Sequence, residues 1–410
     1  VRSDLTNPFL AAGTEHQFGY RCDRGAYRNK YFTQKEGTGL MDAFFRTQRL
    51  TVGYNGIPLI KDIDIQLDKG QILSLIGPNG SGKSTILKSI TNYLKSICGT
   101  VYIDNRCLDD MNNRDLSYEV SVVLTEKLKT ELMTCEDVVA TGRYPYTGML
   151  GILSPTDHVK VRDAMELVNV WELRDRDFTE ISDGQRQRIL LARAICQEPR
   201  IIVLDEPTSF LDVRYQLELL NILRTMAKER DITVIMSLHE LDLAQKVSDL
   251  VMCVKGEFVT RFGSPKEIFK KEIISELYEL SNGSYNPLFG SFEMQRPCGA
   301  AKVFVIAGGG TGIYEYRALQ KKQIPFVTGI LHDNDIDYQV AQDLASEVFC
   351  EESFTKIRQE IYDRALKRLS SCDTVIHCLN RYGEINEKNR QLYQEALSLG
   401  LRVIPSADIM

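Results

Sequence analysis

The sequence predicts an α/β protein of two domains, each built on a parallel sheet, and three observations carry that reading. A short apolar run, GQILSLIG (70–77), leads into a glycine-rich loop and then into a helical pattern, STILKSITNYL (84–94). Two more compact apolar runs, RIIVLDEP (200–207) and ITVIMSLHE (232–240), flank a helical stretch, RYQLELLNILRTMAKE (214–229). Runs of this kind are buried parallel strands, because helices cover both faces and leave no polar alternation. After a turn-rich segment, SNGSYNPLFGSF (281–292), a second alternation of apolar runs and helical stretches begins.

Taken in order, residues 1–40 show neither hydrophobic periodicity nor a secretory apolar core, and read as a flexible arm or extension. FRTQRLTVGY (45–54) and IPLIKDIDIQL (57–67) have strand character, and residues 156–200 carry apolar positions at helical spacing. GEFVTRFGSPKEIFKKEIISELYEL (256–280) closes a first domain spanning 41–282. Residues 283–297 then read as a linker, followed by a smaller Rossmann-like domain over 298–410. Its strands are expected in AKVFVIAGGGTG, IPFVTGIL, DTVIHCL and LRVIPS.

Composition narrows the function classes. A formal charge of −6 over 410 residues argues against a general affinity for nucleic acid. Ten cysteines scattered from Cys22 to Cys378 without a C-x-x-C pair suit a reducing compartment rather than a disulfide scaffold or zinc module. No apolar run is long enough to span a bilayer.

The chemistry sits at the ends of the predicted strands. Gly77, Pro78, Asn79, Gly80, Ser81, Gly82, Lys83 and Ser84 have the spacing of a phosphate-binding loop, with Thr85 next on the helix. Glycines let successive backbone N–H groups face phosphate oxygens, and the helix N-terminus adds its dipole. In that pattern Lys83 reaches the β- and γ-phosphates and Ser84 offers a hydroxyl to Mg²⁺. Asp205 and Glu206 follow an apolar strand, as a carboxylate for Mg²⁺ and a general base for the attacking water. A second helix start, ISDGQ (181–185), forms an S-x-x-Q capping box from Ser182 and Gln185. Gly184 in its first turn costs helix stability unless something must approach the backbone closely.

ISDGQ resembles the signature motif of ABC-transporter ATP-binding subunits, and LDEPTSFLD (204–212) resembles their second acidic motif and following loop. The resemblance covers about residues 45–282 and implies a head-to-tail dimer. There, ATP lies between the phosphate loop of one subunit and the Ser182, Gly184 and Gln185 of the other. It further implies adenine stacking for Tyr54, a loop linking the two sites for Asp212, and a γ-phosphate contact for His239. Where the family usually has a glutamine, about forty residues past the loop, this sequence has Thr125 followed by Glu126, and Glu126 is a candidate Mg²⁺ ligand. GRYPYTGMLG (142–151) is similar to a segment of importers for iron–siderophore complexes, haem and vitamin B12, where it lies near the membrane subunit.

The implied function is therefore the ATP-hydrolysing subunit of such an importer, using ATP and Mg²⁺. It would act peripherally at the cytoplasmic face of the membrane, with permease subunits and, indirectly, a substrate-binding protein. The alternatives are an exporter subunit and a soluble ABC ATPase. In the tail domain, counting from Gly308 puts Ile313 where a dinucleotide fingerprint needs its third glycine. His332, Asp333, Asp335 and Asp337 are expected at one crevice with His377 and Cys378, either as a ligand site or as caps of the following helix.

Overall fold

In the computed structural model, residues 43–124, 132–148 and 151–405 are described. Among the described residues the larger sheet has eleven strands, and its parallel part runs Val120–Val123, Ile201–Leu204, Thr233–Ser237, Ile72–Ile76, Leu250–Lys255 from its edge inward. In register, Val123 lies opposite Leu204, Leu204 opposite Met236, Leu75 opposite Ser237, and Ile76 opposite Cys253. The carboxyl ends of these strands therefore share one edge, so residues far apart in sequence emerge side by side. Every residue of Ile72–Ile76, Ile201–Leu204 and Thr233–Ser237 is buried. That is the expected consequence of covering both sheet faces.

Two hydrophobic clusters flank the sheet. One holds Ile86, Leu87 and Ile90 of the loop helix (Lys83–Ile90) together with the antiparallel strands Phe45–Tyr54, Ile57–Ile63 and Cys98–Ile103. The other includes the helices Cys135–Ala140, Pro155–Leu167 and Asp183–Cys196. Each of these three helices begins with a capping box: Thr134 with Asp137, Ser154 with Asp157, and Ser182 with Gln185.

The loop helix is shorter than the periodicity predicts. It ends at Ile90, because the Thr91 hydroxyl donates back to the Leu87 and Lys88 carbonyls (2.9 and 3.1 Å) and Asn92 turns to φ +58°. A hydroxyl bonded to the preceding turn competes with helix propagation.

The second domain carries a five-stranded parallel sheet in the order Glu347–Glu351, Phe326–His332, Val303–Ile306, Thr374–His377, Arg402–Pro405. Separate cores line its two faces, which makes it doubly wound and Rossmann-like. Its edge strand, EVFCE (347–351), is absent from the sequence-based expectation, since three apolar residues between two glutamates are too short a run to tell a strand from a loop. The segment 283–297 is likewise more than a linker. It holds a hairpin, Gly283–Asn286 paired with Ser291–Met294, and Tyr285 is buried in the larger domain's core.

Candidate functional site

The loop between Ile76 and Lys83 is built for close approach. Gly77, Gly80 and Gly82 all have positive φ. A Cβ on Gly77 would lie 2.1 Å from the Val254 carbonyl oxygen, so only glycine fits there. Lys83 is almost fully buried, and its ammonium donates to the Gly77 and Pro78 carbonyls (2.8 and 3.1 Å). Burial pushes the Lys83 pKa down, while Glu206 and Asp205 push it back up. The Ser81 hydroxyl is buried and has no hydrogen-bond partner among the described residues. An orphaned buried hydroxyl beside three glycines turned to positive φ fits a loop shaped for a ligand with many acceptor oxygens, such as a polyphosphate.

At the neighbouring strand ends the carboxylates gather. Asp205 is buried and accepts from the Ser237 hydroxyl at 2.7 Å. Glu206 sits at φ +50°, in the left-handed region, and its Oε1 lies 2.6 Å from His239 Nε2. The Thr208 hydroxyl donates to Glu240 (2.8 Å), which ties the segment after Glu206 to the segment after His239. Strain of this kind at a non-glycine residue is often found at functional positions. The Tyr54 hydroxyl lies 3.2 Å from Thr85 Oγ1, which sets the half-exposed ring beside the glycine loop.

Lys83, Ser84, Asp205, Glu206 and His239 thus follow strands that share one sheet edge, with Tyr54 and Thr85 adjoining. The other predicted residues stand apart. Ser182 and Gln185 bond each other's backbone (3.0 and 3.3 Å), and among the described residues neither bonds the glycine loop. Gly184 has a neighbour within the chain, since a Cβ there would lie 3.3 Å from the Phe210 carbonyl oxygen. Asp212 caps the helix Val213–Arg230 by accepting from Tyr215 N at 3.0 Å. Thr125 and Glu126 lie outside the described residues.

Sequence reasoning missed Ser237, Thr208 and Glu240. The available signal for Ser237 was a hydroxyl at the end of a buried apolar strand, two residues before a histidine.

In the second domain the acids of HDNDID serve the fold. Asp335 accepts from Gly309 N (2.8 and 3.0 Å) and from Asp337 N, capping the helix Ile336–Leu344. Asp337, fully buried, accepts from Gly312 N at 3.0 Å. The chain's own carboxylates therefore occupy amides that a dinucleotide phosphate would need. His332 bonds the Thr355 carbonyl, and the described residues hold no cluster of metal-ligating side chains. Asp335 meets the expectation of a cap on the following helix, whereas Asp337 holds Gly312 N at the start of the helix Ile313–Lys321 and Asp333 accepts from the Ser353 hydroxyl.

The sequence matches the ABC transporter family over residues 60–209 and, separately, a family described as MJ0874 over residues 326–407. It is 42% identical over 287 residues to an uncharacterized ABC transporter ATP-binding protein of Methanocaldococcus jannaschii, covering 70% of this chain and 99% of that protein. It is 32% identical over 234 residues to the iron(3+)-hydroxamate import ATP-binding protein of Bacillus subtilis, covering 57% of this chain and 87% of the relative. Among solved structures it resembles a chain from an inward-facing transporter described as metal-chelate type. There the TM-score is 0.52 and the identity 25%, over 62% of this chain and 96% of the other. The strand-end cluster around the glycine loop and the near-complete coverage of these relatives agree: the chain belongs to the ATP-binding subunits of ABC transporters and is an ATPase of that family.

Proposed function

We propose that this ATPase drives uptake of an iron chelate through membrane permease subunits, from two composite ATP sites in a homodimer. One observation carries the composite site: the glycine loop, acids and His239 converge on one edge, while Ser182, Gly184 and Gln185 are bonded or packed away from it. A second copy facing the loop head to tail supplies what one copy leaves apart. Phe210, Val213 and Leu217, exposed beside that helix start, give the dimer an apolar contact surface.

The residues divide the work. Tyr54 stacks on the base, and the loop amides with Lys83 hold the β- and γ-phosphates. Ser84 and Asp205 would hold Mg²⁺, with Glu126 as a further carboxylate, and the ion supplies charge neutralisation on the phosphates. Glu206 takes a proton from water as the water oxygen bonds the γ-phosphorus and the bond to the ADP oxygen breaks. His239 orients Glu206 through their 2.6 Å contact and then meets the γ-phosphate.

The permease docks at a groove of about 500 Å³ lined by Leu116, Val120, Leu124, Leu190 and Arg193. Beside it, Arg143 anchors the 142–148 segment through Asp157, Glu198 and the Cys196 carbonyl. Among the described residues no helix is long and apolar enough to cross a membrane, which suits a subunit held at the cytoplasmic face by its permease. The iron-chelate cargo follows the relative named for iron(3+)-hydroxamate import, in preference to haem or cobalamin.

The test is Glu206→Gln. Loss of a general base costs about 10²–10⁴ in rate, so turnover falls by that much while ATP binding persists. Gel filtration with ATP and Mg²⁺ then shows an accumulated dimer. A fully active, always monomeric variant refutes the composite site. For the cargo, the transporter in vesicles should be stimulated by a ferric hydroxamate more than by haem or cobalamin.

A further inference from the structure

We propose that Ser237 is a positioning residue of the ATPase, which sets the backbone of Glu206 and the carboxylate of Asp205 through one hydroxyl. Ser237 ends the strand Thr233–Ser237 and is fully buried. A serine hydroxyl has one proton to give and two lone pairs. Here the proton goes to Asp205 Oδ1 (2.7 Å), and one lone pair accepts from Glu206 N (2.8 Å).

The arrangement answers a local problem. The strand Ile201–Leu204 ends just before these acids, and the last backbone amide it ties to its neighbour is Asp205 N, bonded to the Val123 carbonyl. Glu206 N then lies past the ladder, in a residue turned to φ +50°. A non-glycine residue persists in that region only when its surroundings hold it. The Ser237 hydroxyl supplies the acceptor that the sheet no longer provides. Two residues further on, His239 reaches the Glu206 carboxylate at 2.6 Å. One short segment thus grips Glu206 at both ends, by its amide through Ser237 and by its carboxylate through His239. The same hydroxyl donates to Asp205, so one atom contacts both acids.

The inference rests on Glu206 as general base and Asp205 as the metal-side carboxylate, and the full-length protein can separate the two ideas. Ser237→Ala removes the hydroxyl and leaves Glu206 N without its acceptor. Losing a side chain that orients a metal ligand typically costs about 10–100-fold in activity or metal affinity. The expected result is a kcat lowered by about that factor, with the KM for ATP little changed. Mn²⁺, read by electron paramagnetic resonance in the ATP complex of the non-hydrolysing Glu206→Gln background, binds correspondingly more weakly. Ser237→Thr, which keeps the oxygen, restores most of both.

Wild-type kcat and Mn²⁺ affinity in Ser237→Ala overturn the proposal. So does a kcat loss with unchanged Mn²⁺ affinity that Ser237→Thr fails to rescue, because that pattern belongs to a packing defect. If Ser237→Ala does not fold, Ser237→Cys replaces it, and equal Mn²⁺ affinities for the cysteine and threonine variants overturn it. If Glu206→Gln itself turns over normally, the reading of the site fails first. If Glu206→Gln is inactive and Ser237→Ala is normal, only the Ser237 proposal fails.

Discussion

Glu206 and Asp157 show how one side-chain type takes different roles from its surroundings. Glu206 is partly exposed, strained, and bonded to a histidine, an arrangement suited to moving a proton. Asp157 is buried and serves structure alone. The Ser154 hydroxyl and amide, with the Arg143 guanidinium, hold its pKa at about 2 against the opposing effect of burial. A carboxyl depressed from 3.8 stabilises the fold above its unfolded pKa, and that stability is lost as pH falls toward about 2. Asp157→Asn, which leaves Arg143 buried with less compensation, should lower stability near neutral pH by on the order of 3 kcal/mol. Thermal melts of both proteins should converge as pH falls through about 2, where the wild-type carboxylate itself takes up its proton. A difference that persists undiminished in acid would assign the loss to packing.

At the level of elements, the helix Asp183–Cys196 carries two explanations for the same residues. Its capping box satisfies Ser182 and Gln185 within the chain, as the boxes of two neighbouring helices do for theirs. The cap and the proposed contact with a partner's nucleotide can be separated by substitution. Ser182→Ala loses the cap, at about 1 kcal/mol, whereas Ser182→Asn keeps it because asparagine caps as well as serine. If the hydroxyl also meets the partner's phosphate, steady-state ATPase falls in both variants while the melting temperature falls only in the alanine one. Activity that simply tracks stability would leave Ser182 a cap and nothing more. Gly77 offers a plainer case. Gly77→Ala places a methyl 2.1 Å from the Val254 carbonyl oxygen, so the strand-to-loop turn must open, with loss of both nucleotide binding and stability. Binding of a fluorescent ATP analogue together with a thermal melt checks both.

Across the whole molecule, the hairpin Gly283–Met294 joins two hydrophobic cores. Its Tyr285 is buried with the ATPase core, and its Phe289 packs against the core of the second domain. Asn286 donates to the Gln339 carbonyl (3.2 Å), Glu293 pairs with Arg317, and Lys271 pairs with Asp343. The Glu293 and Asp343 carboxylates are buried while their cationic partners are half exposed, so each pair is anchored from its acidic side. Arg317→Ala therefore strands a buried carboxylate, at a cost of about 2 kcal/mol. Adding Glu293→Gln should recover part of it, because a neutral amide costs less to bury. Calorimetry of Arg317→Ala, Glu293→Gln and the double variant measures the coupling, and equal melting temperatures for Arg317→Ala and the double variant would remove this pair from the interface.

The glycine loop, the acids after the apolar strand and the signature stretch were all legible in the sequence, because each is local: a spacing of glycines, a charge pair after an apolar run, a capping box at a helix start. The parallel-sheet alternation of both domains was legible for the same reason, since burial on two faces writes itself as uninterrupted apolar runs. Tertiary structure alone decided what depends on neighbours distant in the chain. The edge strand EVFCE exists only through its pairing with Phe326–His332, and the hairpin 283–294 only through Tyr285 entering a core. By sequence Asp335 and Asp337 suit a ligand or a cap equally, and only the approach of Gly309 N and Gly312 N decides between them. Ser237 was one hydroxyl in an apolar strand, and only the adjacent strand's end, more than thirty residues earlier, brings Asp205 and Glu206 to it.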